Sequence, residues 1–252
     1  MPNSKPAASP ALHAAPAALA GRAEAAPRQR RKEARPQELL AAALELFVEK
    51  GFAATRTEEV AQHAGVSKGT LYLYYPSKEE LFKAVVRQNL STLIAEGQQM
   101  VEQFVGSSAD LLVRLMNIWW ERLGSTPAAG IHKIVFAEVR NFPELAQFYA
   151  DEVIIPADRL FSSCVQRGIR SGEFRPLPLH EVAHALMAPM IFLALSRHSF
   201  GCCPIQGAVA VDPAQMLRTN FDLILRGLAV REPPPAAPRA NRVTRPGQRS
   251  AR

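Results

Sequence analysis

The chain has 252 residues, of which 48% are hydrophobic, so it is long enough for one or two domains with a sizeable core. Its formal net charge is +7, but residues 1–35 and residues 231–252 each carry +5, which leaves −3 for residues 36–230. These values exclude a uniformly basic folded body. The three cysteines, Cys164, Cys202 and Cys203, give no disulfide framework and favour a reducing compartment.

We expect disordered tails at residues 1–35 and 231–252, since both are rich in Ala, Pro or Arg without a sustained apolar period. The basic arm at residues 28–35 either reaches DNA or only keeps the chain soluble. The N-terminal Ala run is interrupted by Pro and His, unlike a secretory signal. The sequence shows no membrane-spanning apolar stretch. We therefore predict a cytoplasmic protein with no membrane partner.

The first predicted helix begins at Pro36, which suits the first helical position, and ends at Gly51. Its apolar residues repeat at helical spacing and form one stripe. Thr55 and Glu58 have the spacing of a capping box, which predicts a second helix from Arg56. The apolar stripe of the first helix consists of Leu40, Ala43, Leu44 and Phe47.

A tight corner and a third helix follow. Gly65 supplies the positive-φ residue that ends the second helix, and Ser67 caps a short helix over 68–74. Pro76 disfavours helical geometry at the preceding residue and stops that helix. Ser77 and Glu80 form a second capping box before a longer helix to about residue 105. Residues 36–82 therefore predict a helix-turn-helix unit.

The short helix over 68–74 presents small or polar-tipped residues suited to the major groove of DNA. Four of these and neighbouring side chains are well placed to contact phosphates or base edges: Lys68, Thr70, Tyr74 and Lys78. The alternative is an ordinary solvated helical hairpin with surface lysines. The agreement of the caps, the corner glycine and the Pro stop favours the DNA interpretation.

Four sequence segments resemble the signature of TetR/AcrR-type transcriptional regulators. They are Gly-Phe-Ala-Ala-Thr (51–55), Val-Ala (60–61), Ala-Gly-Val-Ser-Lys-Gly-Thr-Leu-Tyr (64–72) and Tyr-Pro-Ser-Lys-Glu-Glu-Leu (75–81). The segment at 136–149 is similar to the ligand domain of AcrR-like members. The resemblance implies an all-α homodimer with an N-terminal DNA-binding domain and a larger ligand-binding and dimerisation domain.

The resemblance also implies which residues contact operator DNA. Leu71 and Tyr75 fall on core positions, and Tyr74 stands where the family often has His. The implied contacts with double-stranded operator DNA are Thr57, Ser67, Lys68, Gly69, Thr70, Tyr72, Tyr74 and Lys78.

Residues 83–230 predict helix after helix and no strand pair, so we expect an all-α ligand-binding and dimerisation domain there. Helices are predicted at about 110 onward, 127–141, 144–171, 180–197 and 212–229. The last two are apolar on more than one side, which favours contact with a second chain. The candidate pocket residues are Met116, Trp119, Trp120, Phe136, Phe142 and Met187, although for any single one of them a place in the ordinary core is the favoured interpretation.

Two enzyme-like motifs occur. The G-x-S-x-G at 65–69 lacks the preceding strand of a nucleophile elbow, so Ser67 is interpreted as a helix cap. The H-E-x-x-H at 180–184 could place two imidazoles on one helix face, but Met187 and Met190 stand where a longer zinc motif needs Gly and His. A zinc-dependent hydrolase that uses this motif is kept as the alternative to the main interpretation. The main interpretation includes no catalytic residue, metal or cofactor.

The sequence predicts a ligand-responsive transcriptional regulator, and the resemblance favours a repressor. As a homodimer it would bind a pseudo-palindromic operator, and a small apolar effector would release it. A further alternative is an all-α interaction protein without a DNA function.

Overall fold

A computed structural model describes residues 27–201 and 211–230, with side chains from Arg35 onward. Within these residues the chain forms helices and no strand, with one isolated bridge between Phe174 and Ala229. The all-α prediction is confirmed. The helices are α1 (Pro27–Lys50), α2 (Thr57–His63), α3 (Lys68–Tyr74), α4 (Lys78–Val86), α5 (Thr92–Gln103), α6 (Ser108–Trp119), α7 (Gly130–Glu138), α8 (Pro143–Tyr149), α9 (Ile155–Ser171), α10 (Leu179–Ser199) and α11 (Pro213–Leu228).

Short π-helical segments continue three of these helices. They span Arg87–Ser91, Trp120–Gly124 and Ala150–Ile154. The first joins α4 to α5, so residues 78–103 are helical throughout, in agreement with the long helix predicted from Ser77.

Helix α1 begins at Pro27, nine residues before the predicted start, and contains Pro36. The prediction of disorder is wrong for residues 27–35. That stretch consists largely of Arg, Gln, Lys, Glu and Ala, which favour helix, whereas the sequence interpretation treated Pro36 as a helix start. Residues 1–26 and 231–252 of the predicted tails, the side chains of residues 27–34, and Cys202 and Cys203 lie outside the described part of the chain.

The predicted capping box at Thr55 and Glu58 is wrong. Helix α2 begins at Thr57, and its N-cap residue Arg56 makes no side-chain cap hydrogen bond. Thr55 is buried, and its hydroxyl donates to the carbonyl oxygens of Gly51 at 2.7 Å and Leu46 at 3.2 Å. A buried hydroxyl needs a partner, and here the end of α1 supplies it.

The remaining local signals of the helix-turn-helix are confirmed. Gly65 has φ 66°, and the Ser67 side chain accepts from the Thr70 N–H at 3.1 Å. Ser77 accepts from the Glu80 N–H at 3.1 Å. Tyr75 is extended before the proline, as a residue preceding Pro favours.

The core around α1–α4 is continuous with residues of α7 and α8. Phe47, Phe52 and Phe82 pack with ring centroids 5.3–5.7 Å apart. Phe142, which precedes α8, packs edge-on against Phe52 at 4.9 Å. The division between residues 82 and 83 stays a prediction, and the two predicted domains share this cluster.

A second core lies among α6, α9, α10 and α11, and includes Leu112, Phe161, Leu186 and Phe221. Helix α10 corrects the expectation that the sequence has no apolar stretch of membrane-spanning length, because by length and composition alone this helix could cross a membrane. Core helices of soluble proteins share this property, and a third (33%) of the most apolar part of α10 is buried inside the protein.

A buried histidine links α7 to α8. His132 is 3% exposed, and its Nδ1 lies 2.6 Å from the hydroxyl oxygen of Tyr149. Its Nε2 is buried without a hydrogen-bond partner. Burial, with a smaller contribution from the charge of His198, lowers the pKa of His132 to about 4.

We predict that His132 makes the free energy of unfolding depend on pH. Unfolding restores a pKa near 6.5, so the unfolded chain takes up a proton first as the pH falls. This contribution is complete above pH 6.5 and is lost toward pH 4, at up to about 1.4 kcal/mol per pH unit. Urea unfolding measured across this pH range should show that the free energy of unfolding of His132→Gln changes less steeply with pH than that of the wild type. The difference in slope should correspond to about one proton.

NMR titration of the wild-type imidazoles measures the same quantity without a variant. A His132 resonance that titrates near pH 6.5 in the folded protein would contradict the prediction.

Candidate nucleic-acid interface

Helix α3 is a short element anchored by one side chain. Leu71 is fully buried at 0% exposure, and the Ser67 cap fixes the start of the helix. On the outer side, Tyr72 is 39% exposed and Tyr74 is 37% exposed. The helix therefore presents its polar-tipped residues away from the core.

Thr57 and Tyr72 join α2 to α3. Their hydroxyl oxygens are 2.9 Å apart, and Thr57 is only 7% exposed. Thr57 thus positions the Tyr72 ring and offers little surface of its own. This contact fixes the rotation of α3 against α2.

Lys68 is engaged within the protein by an acidic neighbour. Its ammonium group forms an ion pair with Glu58 of α2 and lies 5.7 Å from the centre of the Tyr72 ring. The hydrogen bond with Glu58 raises the pKa of Lys68, and the same bond lowers the pKa of Glu58. Any phosphate that binds Lys68 must compete with this carboxylate. The sequence analysis did not include Glu58 in the site.

Ser67 and Thr70 form a small hydroxyl pair at the start of α3, with their oxygens 2.9 Å apart. Thr70 is half-buried, and Gly69 between them is exposed. Ser67 is therefore the helix cap that the sequence predicted. The G-x-S-x-G spacing around it contains no strand.

Lys78 is directed toward the loop between α1 and α2. Its Nζ donates to the carbonyl oxygens of Phe52 at 2.9 Å and Ala53 at 3.1 Å. It also stands 4.6 Å from the centre of the Phe52 ring. The structure gives Lys78 a role in holding this loop, in addition to the phosphate contact predicted for it.

The same loop is held from the other side by Glu138 at the end of α7. Its carboxylate accepts from the Ala53 N–H at 3.1 Å and from the Asn141 side chain at 3.3 Å. Sequence reasoning missed Glu138, because no local signal marks a contact between residues 85 positions apart. The loop at Phe52 and Ala53 is therefore where α4 and α7 meet.

The structure separates the six predicted pocket residues. Met116, Trp119, Trp120 and Met187 pack on or in the second core. Phe142 packs against Phe52 instead, and Phe136 is 62% exposed on α7. A shallow depression of about 460 Å³ lies elsewhere, along the outer face of α6 beside Phe104.

The two histidines of the H-E-x-x-H motif lie at the start of α10. His180 Nδ1 is 2.7 Å from a carboxylate oxygen of Asp158 on α9, and His184 Nδ1 is 2.8 Å from the His180 carbonyl oxygen. Among the described residues, no group of three or more His, Cys, Asp or Glu side chains could hold a metal. The motif thus forms a polar contact between α9 and α10, and the hydrolase alternative has no support.

Comparison with known proteins identifies the family. The family model described as bacterial regulatory proteins, tetR family, matches residues 39–85. The HTH-type transcriptional repressor KstR2 of Rhodococcus jostii (strain RHA1) is 27% identical over 199 residues, which is 79% of this chain and 93% of the relative. The uncharacterized HTH-type regulator YfiR of Bacillus subtilis (strain 168) is 30% identical over 154 residues, covering 60% of this chain and 74% of the relative.

The fold agrees with this relationship. The crystal structure of the regulator FadR from Bacillus subtilis in complex with stearoyl-CoA superposes with a TM-score of 0.60 at 17% identity, over 76% of this chain and 98% of that one. The motif, the relatives and the fold lead to one conclusion. The chain belongs to the TetR family of bacterial regulatory proteins and is a DNA-binding transcriptional regulator rather than an enzyme.

Proposed function

We propose that this regulator is a repressor that binds a pseudo-palindromic operator as a homodimer and leaves it when a small apolar effector binds. The observation that carries the proposal is α3, which is capped, anchored by Leu71 and exposed on its opposite face. Such a helix fits the major groove. Residues 36–82 would form the DNA-binding domain and residues 83–230 the ligand-binding and dimerisation domain, in the cytoplasm.

The proposed operator contacts divide into two groups. Residues directed outward from α3 would meet bases and phosphates, and Thr57 would act through Tyr72. Lys78 would contact a phosphate either while it keeps its hydrogen bonds to the loop carbonyls or by giving one of them up. The directly contacting residues would be Ser67, Lys68, Gly69, Thr70, Tyr72 and Tyr74.

A second copy of the chain would cover the exposed apolar surface of α10 and α11. Phe192 is 59% exposed and Leu223 is 64% exposed, although both lie on apolar helices. Burying such side chains between two copies is favourable. A two-fold dimer would place two α3 helices on one side for two half-sites of the operator.

We place the effector site between α6 and α10, near Met116, Trp119, Trp120 and Met187. These side chains are apolar or aromatic, as effector pockets commonly are. The Arg197 guanidinium lies 5.3 Å from the centre of the Trp120 ring and donates to the Gly124 carbonyl. An effector entering here would displace contacts that join α10 to the π-helical segment after α6.

The signal would reach the DNA-binding unit through α7 and α8. Glu138 and Phe142 contact the loop at Phe52 and Ala53, and Arg87 pairs with Glu152 at 3.1 Å. A shift of α7 would therefore move the loop that Lys78 holds at the start of α4. The effector can act only if it binds the two arrangements with different affinity.

We predict that the purified full-length protein enriches a pseudo-palindromic sequence from a random DNA pool. Its affinity for the selected duplex should fall steeply with salt, and Lys68→Ala should reduce the slope of log affinity against log salt by about one. Glu102→Ala, on α5, serves as a control and should leave the slope unchanged. Binding without a salt slope or sequence enrichment would refute the DNA proposal.

We predict that Glu58→Gln strengthens binding to the selected duplex by about two- to fivefold, as removal of a surface ion-pair partner frees Lys68 for phosphate. Fluorescence anisotropy at low salt measures the change, which should shrink at high salt. Glu102→Gln removes the same charge from α5 and should have a smaller effect. Equal effects of the two variants would mean that only net charge matters.

We predict that an effector quenches or shifts the tryptophan emission, because Trp119 and Trp120 are the two tryptophans of the chain. Stearoyl-CoA, the ligand of the FadR structure, is a suitable first probe of long apolar chains. The same probe should release the selected DNA over the same concentration range. Met187→Phe, which changes the shape of the site without adding a tryptophan, should weaken both responses, and release of DNA without any change in emission would place the effector site elsewhere.

A further inference from the structure

One exposed apolar side chain on α3 has no role in the fold. Leu73 is 84% exposed, whereas Leu71 two residues earlier is fully buried. Two residues correspond to about 200° around an α-helix, so Leu73 points almost directly away from the core. Single exposed apolar residues are common on protein surfaces, and exposure alone would therefore mean little.

Gly69 adds an independent observation on the same side of the helix. It precedes Leu73 by four residues, which places both on one face. A Cβ added at Gly69 would meet only the Ser67 hydroxyl, at 3.8 Å, and Gly69 is not among the positive-φ glycines. Gly within a helix costs about 1 kcal/mol relative to Ala, and neither packing nor backbone conformation in this chain requires it.

On the outward face of α3, Gly69 leaves the backbone uncovered, and Leu73, one turn later, presents a single apolar side chain. We call this face the strip. Glycine allows another molecule to approach the backbone closely. The orientation of the strip is fixed, because Leu71 anchors the helix and the Thr57–Tyr72 hydroxyl contact at 2.9 Å sets its rotation. An element of this kind suits a close and partly apolar surface.

The major groove offers one apolar group on the base edges, the C5-methyl of thymine. We propose that Leu73 contacts a thymine methyl group in each operator half-site and that Gly69 lets the helix approach closely enough for this contact. This inference rests on the proposed DNA-binding function. It makes Leu73 a specificity-determining residue by apolar contact, whereas its polar neighbours act through hydrogen bonds and charge.

Replacement of thymine by uracil tests the contact, because it removes the methyl group and leaves base pairing intact. Full-length protein is first used to select a duplex, and each thymine of the half-site is then replaced in turn. For the wild type, one replacement should weaken binding by about fourfold, the factor expected for one buried methyl-sized group. Leu73→Ala should bind the thymine duplex more weakly and lose its sensitivity at that position.

Two controls separate this contact from general damage. Lys68→Ala should weaken binding to all duplexes and keep the uracil effect. Gly69→Ala should fold normally by circular dichroism, since its Cβ would make only an ordinary van der Waals contact with the Ser67 hydroxyl, and should weaken binding to all duplexes. Leu73 is a surface residue, so its variant should unfold at the wild-type urea concentration.

The outcomes distinguish the inference from the function beneath it. If the wild type selects no DNA, the proposed function fails. If it selects DNA but every uracil replacement affects Leu73→Ala and the wild type equally, the function stands and the thymine contact is overturned. A uracil effect that disappears in Tyr72→Phe but not in Leu73→Ala overturns it as well.

Discussion

Phe52 couples the helix-turn-helix to the helices that follow it. This fully buried ring packs against Phe47, Phe82 and Phe142, and Lys78 stands over its face. Helices from both predicted domains therefore meet at one side chain on the loop before α2. Because interiors are close-packed, a displacement of α7 or α8 cannot be absorbed there without moving the loop or the start of α4.

The sequence was sufficient for features set by neighbouring residues. The caps at Ser67 and Ser77, the corner at Gly65 and the stop before Pro76 all depend on contacts within four residues. Thr55 has the same local pattern as the two serines, yet it does not cap α2. Its buried hydroxyl instead contacts the carbonyl oxygens at the end of α1. The composition of the tail also predicted disorder for residues 27–35, whereas these residue types favour helix and form the first turns of α1.

The parts that could not be predicted depend on contacts between distant residues. Glu138 reaches a backbone N–H 85 positions away, and the lysine at position 78 bonds to carbonyls 25 and 26 positions earlier. Neither contact leaves a periodic or spacing signal in the chain. The aromatic residues proposed for one pocket were selected by type, and the fold separates them. Trp120 packs on the second core and Trp119 on both cores, Phe142 joins the cluster around Phe52, and Phe136 is exposed.

The electrostatics of α3 also differ from what a charge count suggests. Residues 36–230 carry a net charge of −3, and Glu58 pairs with the one lysine of α3. In the free protein, this ion pair reduces the attraction between Lys68 and phosphates. Because surface ion pairs contribute little free energy, a DNA phosphate can take the place of Glu58. Non-specific binding is weakened in the same way, because it depends almost wholly on phosphate contacts. If α3 enters the major groove as proposed, a helix with a paired lysine, two tyrosines and an outward leucine would gain more of its binding free energy from base edges, which would favour discrimination between sequences over affinity for DNA in general.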